Sequence, residues 1–399
     1  MNNPSKERST AHQHPAPLEA VLSQVREIAR DVLVPAADAV DRKACWPEHG
    51  IRALQAAGLG GLVVPKENGG LGLGLQALVQ ACEILGNACS STALCYGMHC
   101  VGSAVIAAKA TTDQQQRYLE PISQGIHLTT LALSEPGTGV HFYFPQTRLE
   151  AVTPHAFKVT GVKSFITNGG HADSYVVSTV AAEPDAPLGR FSCVVVANEA
   201  EGIAWGAPWS GLGMRGNSSR TAELQGLIVP RRDLLGEEGD QLWYVFHVVA
   251  PYFLAAMAGT YLGVAGAALE EARTWLTQRH YAHSGSTLAQ APVLQHRLGS
   301  LWAMVERTRR LTYFAASETD TGGPDALPAL CAAKAEVADC AVDVANAAMT
   351  LTGGINYRDG SRLERLLRDA CAAHVMAPTT DLLRIWTGRA LLGQPLLGE

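Results

Sequence analysis

Three glycine-rich turns and one proline-broken helix hold the residues of this chain best placed to do chemistry. "LALSEPGTGV" ends a predicted strand in Pro-Gly-x-Gly, with Ser134 before the turn and Gly139 inside it. Such a turn brings backbone N–H groups close to a phosphate or a flat ring, although a plain tight turn uses the same residues. "KSFITNGG" repeats the form. Alternation along a strand puts Phe165 and Thr167 on one face, so a ring can stack on the first and hydrogen-bond to the second. A hairpin turn with a half-buried Phe is the plainer alternative. "MTLTGGINYRDG" puts Gly353 and Gly354 at a helix end, where a glycine C-cap is also expected. None of the three is a P-loop or a GxGxxG fingerprint. In "HVMAPTTDLLR", Pro378 breaks one helix and Thr379 or Thr380 caps another that starts near Asp381. A turn between helices is a common place for a catalytic side chain, yet the tip here, Ala377, offers a methyl group.

Around these turns the chain of 399 residues divides by pattern. A polar, Pro-containing arm over 1–16 is expected to be disordered. Residues 17–127 carry apolar positions at helical spacing, 128–240 read as short β-branched strands between Gly, Pro and Asn, and 241–399 return to long helical segments. The fold class expected is α+β, with helices, then a sheet, then a helical bundle. Charged residues are 17% of the chain against 47% hydrophobic, which implies a large buried area and subunit contacts. A net charge of −6 without a Lys/Arg cluster weighs against a nucleic-acid partner. Nine scattered Cys with no CxxC pair suggest reduced thiols rather than a disulfide framework or a metal site. No apolar run reaches about 18 residues uninterrupted, so no membrane span is expected. The start of the chain has no apolar signal segment, and a cytoplasmic protein is expected.

The order of the motifs says more than any one of them. "VVPKENGGLGLG", "DQQQRYLEPISQG", "SEPGTG", "FITNGG", "GLGMRGNSSR" with "LIVPRRDLLGEEG", and "TGGINYRDGSRLERLLRDA" follow one another between residues 17 and 392. This succession resembles the acyl-CoA dehydrogenase superfamily of flavoproteins. The resemblance implies an N-terminal helical domain, a middle β-barrel, a C-terminal four-helix bundle, and FAD held between barrel, bundle and a neighbouring subunit. It implies that Ser134 meets the flavin pyrimidine, that Phe165 replaces the usual Trp beside the ring, and that Thr167 reaches flavin N5. It also implies that Arg279 meets FAD phosphates across a subunit interface, and that Gly353 and Gly354 approach the neighbour's FAD. Thr350 stands where a Gln usually precedes that glycine pair.

The same resemblance places Ala377 where the family's catalytic Glu sits, and Phe253 at the position from which some members supply it instead. Both known bases are therefore absent. The Ala377 backbone N–H remains to polarise a thioester carbonyl. His99, on the helix that lines the acyl pocket, is a candidate base, as are His141, Asp381 and His374. His141 belongs to "GVHFYFPQ", where Val140 and His141 replace the family's Ser-Asp. The implied activity is FAD-dependent oxidation of an acyl thioester on CoA or a carrier protein, by a homo-oligomer that passes electrons to a flavoprotein or O2. The alternatives are flavin chemistry that needs no α-proton base, such as a desulfinase or an O2-using monooxygenase, and a silent FAD-binding scaffold.

Overall fold

The computed structural model describes residues 17–182 and 190–397, so the expected arm over 1–16 lies outside the described residues. Helices fill the chain up to Ser123, the longest being Leu75–Ala88 and Ser90–Ala108. The first of these lies against Ala250–Gln278. Small residues allow that contact: a Cβ on Gly86 would stand 2.3 Å from the Thr260 carbonyl oxygen, and one on Gly259 would stand 2.3 Å from that of Val79. The two backbones touch, which explains the demand for Gly and Ala at this seam.

The described residues of the middle region form eight strands: β1 Thr129–Ala132, β2 Arg148–Thr153, β3 Ala156–Ile166, β4 Ser174–Ala181, β5 Phe191–Ala197, β6 Ile203–Trp205, β7 Arg220–Pro230 and β8 Leu234–Leu235. They form one sheet in the order β6-β7-β3-β2-β4-β5-β8, with β1 added parallel to β4. In hydrogen-bonding terms the expected barrel is one path of strands from β6 to β8. The β3–β7 ladder slips between Lys163 and Ile166, where Phe165 takes a left-handed φ of 54°. Beyond that slip the ladder resumes, with Ile166 paired to Arg220.

The C-terminal region holds Ala250–Gln278, Pro292–Asp320 and Ala326–Thr352. Two shorter helices, Arg362–Val375 and Thr380–Leu391, share the fourth position, both against Ala326–Thr352. Pro378 separates them, because it has no N–H to offer a helix. Thr379 stands at the N-cap of the last helix, but its side chain makes no capping bond. Pro251 lies inside a continuous helical run from Gln241 to Gln278, and a π turn at Val245–Val249 precedes it. Two helical runs, Ser90–Ala108 and Gln241–Gln278, are apolar and long enough to cross a membrane, against the sequence expectation. Both are mostly buried inside the fold, the first at 89% of its apolar window and the second at 83%.

Candidate active site

A cavity of about 590 Å³ opens where the sheet, the helix Ser90–Ala108 and the C-terminal helices meet. Its polar lining comes from the ends of β1 and β3 and the loop before β7: Ser134, Ser164, Thr167, Asn217 and Ser219. Thr167 is 6% exposed, and its hydroxyl lies 3.3 Å from that of Ser219. The apolar lining is Leu94, Met98, Phe142, Val249, Phe253 and Met376. Phe165 stands at the rim, 66% exposed, edge-on to Trp209 with ring centroids 6.2 Å apart. At that rim its ring is accessible for stacking against a flat ligand. The Trp209 indole nitrogen is buried without a hydrogen-bond partner among the described residues.

Buried polar bonds fix these walls. Glu135 accepts hydrogen bonds from the backbone N–H groups of Gln146 at 2.7 Å and Thr147 at 3.1 Å, and pairs with the buried Lys163 ammonium. Lys163 also donates to the Ser178 hydroxyl at 3.0 Å. Burial pushes its ammonium down to about 8, and the Glu135 charge opposes that drop. Asn168 donates to the Cys95 carbonyl at 2.9 Å and accepts from the Trp46 indole at 2.8 Å, tying the "FITNGG" turn to the first domain. Asp369 accepts from the Met214 backbone N–H at 2.6 Å and from the Ser90 hydroxyl, which joins all three regions at one carboxylate. Burial raises the Asp369 pKa.

The structure brings Ser134, Gly139, Phe165, Thr167 and Ala377 to one cavity. Gly139 has φ 53° and open space where a Cβ would stand. His99 lies elsewhere. It is 1% exposed, the Thr129 N–H donates to its Nδ1 at 3.1 Å, and its Nε2 lies 3.0 Å from the Gly60 carbonyl. Nδ1 is therefore the acceptor, Nε2 carries the proton, and neither faces the cavity; its neighbour Met98 does. Burial lowers the His99 pKa to about 4. His141 also turns away: Phe142 lines the cavity, while His141 is exposed with its Nδ1 2.8 Å from the Tyr143 hydroxyl. His374 pairs with Thr380 at 3.1 Å, and Asp381 is exposed in the first turn of the last helix. Arg279, Gly353 and Gly354 are exposed and stand outside the cavity. Glu135 is the one ionisable residue of the lining among the described residues, and its oxygens are already engaged.

Family models cover most of the chain. The acyl-CoA dehydrogenase N-terminal domain matches residues 16–126, the middle domain 130–227 and the C-terminal domain 254–392. The chain belongs to the acyl-CoA dehydrogenase family. It is an oxidoreductase of that type, and its cofactor is FAD. A cyclohex-1-ene-1-carbonyl-CoA dehydrogenase from Geobacter metallireducens is 30% identical over 93% of this chain and 97% of its own length. A short-chain-specific acyl-CoA dehydrogenase from Clostridium acetobutylicum is 28% identical, over 92% of this chain and 96% of its own length. Among solved structures, the butyryl-CoA dehydrogenase of Megasphaera elsdenii superposes with a TM-score of 0.89 at 24% identity, covering 95% of this chain and 99% of that one.

The lining fits a flavin ring. A flat aromatic system needs an apolar face and polar partners at its edge. Phe165 offers the face, and the hydroxyls of Ser134 and Thr167 offer the edge. Sequence reasoning missed Trp209, Ser219 and Glu135. Pro208-Trp209 carries no turn signature of its own, and Glu135 reveals its partner only once β3 is in place.

Proposed function

We propose that this protein oxidises an acyl thioester, with CoA or a carrier protein as the thiol, inside the cavity that gathers Ser134, Phe165, Thr167 and Ala377. That gathering is the observation that carries the reading. FAD, when bound, supplies a two-electron acceptor. Ser134 and Thr167 hold the polar edge of the ring, and Phe165 covers its face. Gly139 lets backbone come close. Arg279, Gly353 and Gly354, all exposed in one chain, serve a neighbouring subunit's cofactor in a homo-oligomer, expected to be a tetramer. The Ala377 N–H makes no hydrogen bond among the described residues and is free to meet a carbonyl oxygen. The apolar walls exclude water from the acyl chain, which strengthens that bond. The electron acceptor is a partner flavoprotein or O2.

A second reading is favoured by one observation: among the described residues, no carboxylate, imidazole or amine is free to take a proton inside the cavity. His99 and His141 then do not act as bases, and the chemistry is one that needs no α-proton removal by the protein, as in a desulfinase or a monooxygenase. Anaerobic titration of the FAD-loaded protein with a panel of acyl thioesters separates the two. Bleaching of the flavin band supports dehydrogenation. Bleaching by no thioester, with product formed only when reduced flavin and O2 are supplied, supports the second reading. Tight FAD binding with neither response leaves a scaffold.

A further inference from the structure

Lys334 lies in the helix Ala326–Thr352 and is 1% exposed. Its Nζ meets three backbone carbonyl oxygens, those of Ala373 at 2.8 Å, Met376 at 3.2 Å and Pro378 at 3.1 Å. It forms no ion pair with a carboxylate among the described residues. An ammonium buried this way is costly, and burial pushes it down to about 8, so the three carbonyls must stabilise it. They need it equally. The last carbonyls of a helix have no partner inside that helix, and a cation there meets the negative end of the helix dipole. One side chain thus ties the end of Arg362–Val375 to the turn that follows.

The consequence concerns Ala377. Its N–H belongs to the same peptide unit as the Met376 carbonyl, and in a trans peptide the two point in opposite directions. Holding the Met376 oxygen on Lys334 aims the Ala377 N–H away from the helix Ala326–Thr352. Residues 375–378 line the cavity, whereas Lys334 and the rest of the helix Ala326–Thr352 do not. We infer that Lys334 is a positioning residue: by gripping the Met376 carbonyl, it directs the Ala377 N–H at the carbonyl oxygen of a bound thioester. This rests on the thioester reading above. In a turn that carries no acidic side chain, the backbone donor is what the clamp preserves.

The test compares two ligands that differ only in that oxygen. Butyryl-pantetheine and its S-butyl thioether share the arm common to CoA and carrier proteins, but only the first has a carbonyl. Calorimetry on the FAD-loaded protein measures both. The wild type is expected to prefer the thioester by about tenfold, the scale of one good hydrogen bond. Lys334→Met should bring that preference close to unity while holding thioether affinity within about twofold, and Lys334→Gln, which keeps two donors, should recover part of it. A preference unchanged in the variants, or a parallel loss of both ligands, overturns the inference. If Lys334→Met does not fold, Lys334→Gln alone decides: a partial loss of preference supports the clamp, and no loss or parallel weakening overturns it. A wild type that binds neither ligand, or both equally, overturns the thioester reading and this inference with it.

Discussion

Ala377→Glu returns a carboxylate to the turn beside the cavity, where general-base help is worth about 10²–10⁴-fold. If the site is otherwise competent for dehydrogenation, this variant should bleach its flavin with butyryl-CoA at least about 100-fold faster than the wild type in anaerobic stopped flow. An unchanged rate would mean that the thioester lies out of line, and would favour the base-free chemistry. His99 makes a different prediction. Its imidazole stays neutral in the folded chain down to about pH 4, whereas an unfolded imidazole takes a proton near 6.5. The unfolded state binds the extra proton first, so stability is full above pH 6.5 and falls as pH drops from 6.5 towards 4. Between pH 7 and 5 the loss from this one group is about 2 kcal/mol. Urea midpoints at the two pH values should show that slope in the wild type and a shallower one in His99→Gln. Ser134, Phe165 and Thr167 were legible because glycine-rich turns advertise themselves. The direction of His99 was not, because residues 90–106 are all buried and leave no amphipathic stripe to orient the helix.

The loop between β1 and β2 shows what an element adds. Its glycines permit the turn, but Glu135 sets it, by bridging two N–H groups eleven and twelve residues away and the Lys163 ammonium. Glu135→Gln keeps the size and removes the charge, leaving Lys163 buried without its counter-ion. That should cost about 3–5 kcal/mol. Urea unfolding should report the loss, and fluorescence titration should report weaker FAD binding, because Ser134 and Gly139 ride on the same loop. Long helices and the longer strands could be read from periodicity and β-branched runs. The two-residue β8 and three-residue β6 could not, because so few positions cannot show an alternation. The Phe165 left-handed kink was equally hidden. Simple alternation put Phe165 and Thr167 on one face, and the chain brings both to the cavity by a register slip instead.

At the scale of the molecule, the resemblance carried architecture that no single segment states, and the helix–sheet–helix order of the chain agrees with it. One chain leaves parts of the expected cofactor site bare: Tyr357 in the "TGGINY" loop is 77% exposed and Ile355 39%. Trp302 on the bundle is 60% exposed. These surfaces are expected to be covered by another copy. Dilution should therefore release FAD in step with dissociation, as binding linkage requires. Light scattering and flavin fluorescence on one dilution series should move together. Tyr357→Asp should weaken FAD retention at least about tenfold with little change in the circular dichroism of the chain. A monomer that keeps all its FAD would refute the assembly.

The Asp369 carboxylate, held by Ser90 and Met214, also sets a schedule. Its partners are 279 and 155 residues earlier in the chain. At about 5–20 residues per second, a ribosome that has just made Ser90 needs roughly 15–55 s to deliver Asp369. For part of that interval the apolar helix Ser90–Ala108 has been made but lacks Ala250–Gln278, the C-terminal helix that packs on it. Each nascent chain thus carries a bilayer-length hydrophobic rod that is incompletely covered until Gln278 is made, and its yield in a cell should depend on how well chaperones shelter that rod until then.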